Sequence, residues 1–430
     1  MRKTYCGACR GERGCPDCQK AARSADYTGI TEFLTGNKMP DLSMEDRTEC
    51  AEGKHSRSCR ELLLAADLGT TTLAFVCTQE RGQMLASYGT ENPQRKTAAD
   101  VIGRIDAAIR GQRERLTKEI REALAQGFLF VFEKGNERLW EMGRTSVPDA
   151  VHFAIAGNTT MQHLLLDYPV DGMAKAPFIP YTVAGKVLSF AELFSETERF
   201  AEFPEFVRRA DVTIFPCFSA FVGGDLAAGA YALAEEVTKK HPCILIDLGT
   251  NGELLLFDKD KIYGTAAAMG SAFEGGRFAY ASDVFRLISE ARSSEVLDET
   301  GLLCEPYFSE GFSELQQEDV REFQLAKGAL RAGIEILCNH AGVRFSEVQQ
   351  VFVAGGVGKF CREEDLFVTG LLPPEWRNRV TFVGNSCIGG MVKYLRDKEK
   401  ELRCEGEILN LAEEPEFEEA YYRFMNFVEE

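Results

Sequence analysis

Two short strings in this sequence carry the residue types, in the order, that grip a phosphate chain. Asp67-Leu68-Gly69-Thr70 follows the apolar run Leu62-Leu63-Leu64-Ala65-Ala66, and Asp247-Leu248-Gly249-Thr250 follows Cys243-Ile244-Leu245-Ile246. A carboxylate at the end of a buried strand meets Mg²⁺ directly or through water. Glycine lets the backbone turn tightly and approach a phosphate, and threonine adds a hydroxyl and an N–H. One such string reads as an ordinary turn; two in matching surroundings read as the two sides of one ATP–Mg²⁺ cleft. On this reading Asp67, Asp247 and Glu253 are the candidate catalytic carboxylates. Gly69, Thr70, Thr71, Gly249, Thr250, Asn251 and Gly252 line the nucleotide. Gly355 and Gly356 offer bare backbone to an adenosine or, alternatively, make a tight strand-to-helix turn. Asp225 and Glu274 are further carboxylates able to position water or Mg²⁺, or to cap a helix or turn.

A second set of reactive residues opens the chain. Cys6, Cys9, Cys15 and Cys18 form two Cys-x₂-Cys pairs, and four thiolates suit either Zn²⁺ or an iron–sulfur cluster. Six of the fourteen cysteines fall within the first 59 residues, and such clustering in a reducing compartment points to metal rather than to disulfides. Cys50, His55 and Cys59 read more simply as linker residues. Cys77, Cys243 and Cys338 sit in apolar surroundings and read as small buried hydrophobes.

The elements that must position the two loops repeat along the chain. A strand, the Asp-Leu-Gly-Thr loop and a hairpin recur 180 residues apart. Strand, Ala-Gly and helix recur at Ala156-Gly157 and Ala354-Gly355. Strands are expected at 62–66, 71–77, 84–88, 151–156, 243–246, 253–257, 261–266 and 351–354. Helices are expected at 96–125, 130–142, 159–166, 220–234, 320–341 and 364–371, with an irregular stretch over 170–210. Strands first and helices after, twice, implies a duplicated mixed α/β architecture. The expected division is 1–60 as a Cys-rich segment and linker, 61–210 as one half and 211–430 as the other.

Composition narrows the partners. A formal charge of -18 over 430 residues argues against general nucleic-acid or anionic-membrane binding. No apolar run approaches the roughly 20 residues that span a bilayer, and no apolar stretch follows the basic start at Arg2 and Lys3. A cytoplasmic protein with no membrane or nucleic-acid partner is expected.

From about Leu63 to Val392 the motifs resemble the C-terminal actin-like (ASKHA) ATPase region of reductive activators of corrinoid proteins. They run in order: Asp67 to Thr72, Asn92-Pro93-Gln94, Asp100 to Ile105, Gly157 to Met161, Pro177 to Pro180, Phe221 to Asp225 and Asp247 to Glu253. Ala272 to Gly275, Gln324 to Ala329, Ala354-Gly355-Gly356 and Gly384-Asn385-Ser386 follow. The family's usual Gly-Pro is Gly270-Ser271 here, and the short Cys-rich segment stands where the family carries a plant-type ferredoxin domain. The resemblance implies an actin-like, ribonuclease-H-like fold of two related halves around a cleft. It further implies an ATPase that couples ATP to reduction of cob(II)alamin to cob(I)alamin on the corrinoid protein of a methyltransferase system. Zinc at the cysteines would require an external ferredoxin, or a non-redox chaperone or remodelling role; a homodimer is left open.

Overall fold

The computed structural model describes residues 61–427 except 81, 143–147, 250, 260, 271, 272, 274–280, 310–313, 356–360, 398–401 and 403. Cys6, Cys9, Cys15, Cys18, Thr250, Gly356 and Glu274 therefore lie outside the described residues.

Twelve described strands form two six-stranded sheets. The first contains β1 (Glu61–Leu68), β2 (Thr72–Gln79), β3 (Met84–Glu91), β4 (Ala150–Gly157), β5 (Lys186–Ser189) and β6 (Asp211–Ile214), in the order β3-β2-β1-β4-β6-β5. The second contains β7 (Cys243–Leu248), β8 (Asn251–Asp258), β9 (Lys261–Ala268), β10 (Gln350–Ala354), β11 (Val380–Gly384) and β12 (Glu407–Leu409). Its order is β12-β9-β8-β7-β10-β11. Five strands share one order in the two sheets, and β5 and β12 extend opposite edges. The repeat seen in the sequence is thus a repeat of topology. β1 and β7 are buried along nearly their whole length because each lies mid-sheet, covered on both faces, which is why they read as continuous apolar runs.

Eight helices of seven or more residues are described: α1 (Val101–Ala107), α2 (Arg113–Glu141), α3 (Thr159–Leu165), α4 (Gly224–Lys239), α5 (Ala281–Ser293), α6 (Gln317–Ala341), α7 (Ser386–Asp397) and α8 (Phe417–Met425). Where the sequence suggested a break between residues 125 and 130, α2 runs straight through. Gly127 does not end the helix; it makes room for the Phe75 ring, and Phe128 beside it packs edge-on against Phe75 and Phe153. The interruption comes earlier, at a π turn over Ala108–Gln112 where Gly111 takes φ 91°. Residues 170–210, expected to be irregular, contain β5, which pairs antiparallel with β6. The first sheet therefore reaches Ile214, past the expected boundary at 210.

Two helices exchange sides. α4 leaves the first sheet and buries Leu226 and Leu233 against Leu245, Leu255 and Phe352 of the second. α7 leaves the second sheet and buries Ile388, Met391 and Val392 against Leu63, Ala65 and Ala154 of the first. Each such aliphatic side chain contributes roughly 1.5–3 kcal/mol over leaving it exposed. The helices touch backbone to backbone: a Cβ at Gly390 would collide with the Ala228 carbonyl, and one at Gly229 would come 2.9 Å from Ser386 Oγ.

Candidate functional site

Asp67 and Asp247 are each the penultimate residue of a central strand. Asp67 stands opposite Ala74 on β2 and Ala156 on β4, while Asp247 stands opposite Glu253 on β8 and Ala354 on β10. Both strand neighbours of Asp67 are alanines, whereas Asp247 has an alanine on one side and the Glu253 carboxylate on the other. Glycines close the turns that follow: a Cβ on Gly157 would strike the Leu68 carbonyl, and one on Gly355 would strike the Leu248 carbonyl and come 2.8 Å from Asp247 Oδ1. Gly355 has φ 89°, so both space and backbone demand glycine there. The neighbours of Gly355 are Leu248 and Asp247 of the second Asp-Leu-Gly loop. In the first loop, Gly69 lies where a Cβ would strike the Thr72 carbonyl. In the second, the Gly249 amide donates to Asn251 O at 3.1 Å. Gly252 pairs with Leu248 and packs beneath Leu330 and Met269.

Two asparagines to which the sequence reading assigned no role hold the first loop, one from each half. Asn385 caps α7 by accepting from the Ile388 amide at 2.7 Å, and its Nδ2 donates to Asp67 Oδ2 at 2.8 Å. A residue from the second sheet thus grips the carboxylate of the first loop. Asn158 caps α3 through the Met161 amide at 3.0 Å and donates from Nδ2 to Thr70 Oγ1 at 2.8 Å. Both asparagines occur inside the motif strings, directly after a strand and before a helix, where the N-cap preference of Asn identifies them.

Four carboxylates share the site. Asp225, in the first turn of α4, accepts from the Leu226 amide at 2.9 Å. Asp67, Asp225 and Asp247 are half-buried, and Glu253 is buried. Burial, and then the charge of Asp67, push Asp225 up to about 7. Burial, followed by the charges of Asp225 and Asp67, pushes Asp247 up to about 7. Glu253 is driven well above the usual carboxylate range by burial and by the other three. Asp67 is raised by burial, against which the Asn385 and Cys387 side chains act. Among the described residues, the charged groups that act on these four are carboxylates. Such a cluster attracts a divalent cation. Among the described residues no group of three or more His, Cys, Asp or Glu can hold a metal ion directly. The arrangement fits Mg²⁺, which keeps several waters and binds through one or two carboxylates plus substrate phosphates.

Comparison with known proteins bears on the same regions. The family described as the RACo middle region matches residues 62–237. The C-terminal domain of RACo, the ASKHA domain, matches 241–282 and 309–430. The chain carries the RACo middle region and the RACo ASKHA domain. The two RACo regions meet at the end of α4, the helix that passes from one sheet to the other. The corrinoid activation enzyme RamQ of Eubacterium limosum is 25% identical over 428 residues, taking in 83% of this chain and 69% of RamQ. A solved reductive activator for a corrinoid, iron–sulfur protein superposes with a TM-score of 0.68 at 21% identity. That superposition covers 85% of this chain and 66% of the other. The chain therefore spans just under two thirds of that structure, and the likeness is one of fold. No described helix is long and apolar enough to cross a membrane.

Proposed function

We propose that the cleft binds ATP with Mg²⁺ and that the chain is an ATP-dependent reductive activator of a corrinoid protein. The observation that carries the nucleotide reading is the cluster of four carboxylates, Asp67 and Asp247 on the two Asp-Leu-Gly loops with Asp225 and Glu253 beside them, and no cation among the described groups that act on them. The RACo regions and the RamQ likeness support the corrinoid reading. Asp67, Asp225 and Asp247 would hold Mg²⁺ through its waters, and the bound ion would offset the negative charge of the phosphates. Gly69, Thr70 and Thr71 on one side, with Gly249, Thr250, Asn251 and Gly252 on the other, bind the phosphate chain. Glu253, the most buried of the four carboxylates, accepts a proton from the attacking water as general base.

Each cobalt takes up one electron in going from cob(II)alamin to cob(I)alamin. In this reading Cys6, Cys9, Cys15 and Cys18 would hold an iron–sulfur cluster, which would supply one-electron transfer from a low-potential external reductant. If they hold zinc, the electron comes from an external ferredoxin and the chain supplies only the ATP-driven step. Calorimetric titration with Mg²⁺–ATP tests the cleft: wild type binds, and Asp247→Ala abolishes binding. Undiminished affinity in the variant sinks the assignment. Anaerobic incubation with a corrinoid protein, ATP and a low-potential reductant tests the activity, read as ATP-dependent loss of the cob(II) electron-paramagnetic signal. Loss of signal at the same rate without ATP refutes the coupling. Iron content and a bleachable visible band separate the cluster from zinc.

A further inference from the structure

Two of the motif strings, Asn92-Pro93-Gln94 and Asp100 to Ile105, contain no residue of the cleft itself, yet they converge on the backbone of the first phosphate loop. Three consecutive loop carbonyls accept hydrogen bonds from this one segment. Gly69 O accepts from Asn92 Nδ2 at 2.8 Å, Thr70 O from Arg104 Nη2 at 2.6 Å, and Thr71 O from the Asn92 amide at 2.9 Å. Asn92 and Arg104 are almost wholly buried, at 1% and 0% exposure. Among the described residues Arg104 makes no ion pair. Its other nitrogens reach Met161 Sδ at 2.9 Å and Ala98 O at 3.3 Å. Burial pulls it down to about 10, against the pull of Asp100, so it stays protonated at neutral pH. Placing a guanidinium in the interior costs free energy unless it is hydrogen-bonded, and here the shortest of its bonds goes to the loop.

The segment is itself anchored. Asn92 Oδ1 accepts from the Gln94 amide at 3.0 Å, buried Gln94 donates to Leu116 O on α2 at 2.8 Å, and Asp100 caps α1 through the Gly103 amide at 2.7 Å. In a trans peptide the carbonyl and the following N–H point to opposite sides. Drawing the carbonyls of Gly69 and Thr70 into the body therefore turns the N–H groups of the same peptide planes the other way. Asn158 completes the set: the Thr70 hydroxyl accepts its Nδ2, which leaves the hydroxyl proton to donate.

We propose that Arg104 and Asn92 are positioning residues that splint the first phosphate loop, holding its peptide planes so that the amides face the nucleotide phosphates. Neither touches the ligand. The inference rests on the nucleotide reading of the cleft and adds the machinery that fixes one side of it.

The test compares Mg²⁺–ATP with adenosine as competitors of a fluorescent nucleotide, because a splint acts on phosphates and a general folding defect acts on both. Arg104→Lys keeps the charge and loses the fork that reaches several acceptors at once. Asn92→Asp keeps the oxygen that caps residues 93–96 and loses the donor to Gly69. Each is expected to weaken Mg²⁺–ATP by about tenfold or more, the worth of one charge-assisted or buried hydrogen bond, and to leave adenosine within about twofold. Arg121→Lys, which replaces an arginine donating to Leu165 O at 2.9 Å away from the loop, leaves both affinities as in wild type. Equal weakening of ATP and adenosine, or unchanged ATP affinity, overturns the splint. Should Arg104→Lys fail to fold, the Asn92→Asp ratio decides the matter alone. A wild-type protein that binds adenosine but gains nothing from the phosphates overturns the splint while leaving a nucleoside site; one that binds neither removes the nucleotide reading as well.

Discussion

Replacing Asp225 by asparagine is expected to make the nucleotide-free protein more stable at pH 8 while destroying its response to Mg²⁺–ATP. The amide preserves the side-chain oxygen that accepts from the Leu226 amide at 2.9 Å, so the start of α4 is undisturbed. What it removes is a charge held beside Asp67 and pushed up to about 7. Against an ordinary Asp near 3.9, that gap corresponds to ~4 kcal/mol. The sign follows from where each state ionises. Above about 7 the carboxylate is charged in both the folded and unfolded chain, and the folded chain bears the full cost. Between about 4 and 7 the unfolded chain ionises first and the cost shrinks, to about 1.5 kcal/mol at pH 5. Urea unfolding in chelator should therefore show Asp225→Asn more stable than wild type by on the order of 2–4 kcal/mol at pH 8, and by much less at pH 5. Adding Mg²⁺–ATP at about 100 times its Kd should raise the wild type by ~2.7 kcal/mol and the variant hardly at all. A variant less stable than wild type at pH 8, or equally advantaged at both pH values, would refute the picture of a carboxylate cluster awaiting a cation.

Three further outcomes follow from the same geometry. Because Asp225 and Asp247 must be ionised to attract Mg²⁺ and both sit at about 7, Mg²⁺–ATP affinity should fall as pH drops below 7 and level off above it. A flat calorimetric profile between pH 5.5 and 8.5 would contradict this. Gly390→Ala would drive a Cβ into the Ala228 carbonyl and should cost about 3 kcal/mol, at the upper end of overpacking. Gly111→Ala, with open space but φ 91°, should cost only ~1–2 kcal/mol; equal losses in denaturant midpoint would show that the α4–α7 contact is not tight. Asn385→Ala removes both the α7 cap and the donor to Asp67. It should lose ~1–2 kcal/mol at pH 8, whereas Asn339→Ala, at an exposed position of α6, should not approach that loss.

What was legible in the sequence was whatever a strand or a loop states locally. The two Asp-Leu-Gly strings and their apolar runs marked β1 and β7, and the strand–turn–strand stretches after them marked the hairpins β2–β3 and β8–β9. Residues acting through distant backbone were harder to read. Arg104 carries no local sign that its partner is a carbonyl 34 residues away, and Asn385 reaches Asp67 across 318 positions. α7 escaped because its glycines Gly389 and Gly390 look like breakers, yet Gly390 is where α4 passes. Gly127, inside the expected break, likewise lies where the Phe75 ring crosses. In both places glycine was selected for what crosses it, and periodicity along one segment does not register a neighbour.

The exchange of α4 and α7 between the sheets ties the chemistry to the shape of the molecule. α4 begins beside Asp225 and α7 begins beside Asn385, so the two helices that cross at Gly390 and Ala228 both start in the cleft. Without a cation, Asp67 is held by Asn385, and the carboxylates of the two sheets repel one another. A bound divalent ion would reverse the sign of that interaction while competing with Asn385 for the same oxygen. Whatever then shifts the N-terminus of either helix is transmitted to a crossing packed too closely to absorb it by sliding. Packed contacts of this kind pass from one arrangement to another rather than deform continuously. The two halves would accordingly report occupancy of the cleft by a change in their relative setting. Trp376 is wholly buried in the second half and Trp140 is exposed on the first. Fluorescence of a dye pair placed one on each half should therefore change on adding Mg²⁺–ATP, and should stay constant in Asp225→Asn; the same change in both proteins would refute the coupling.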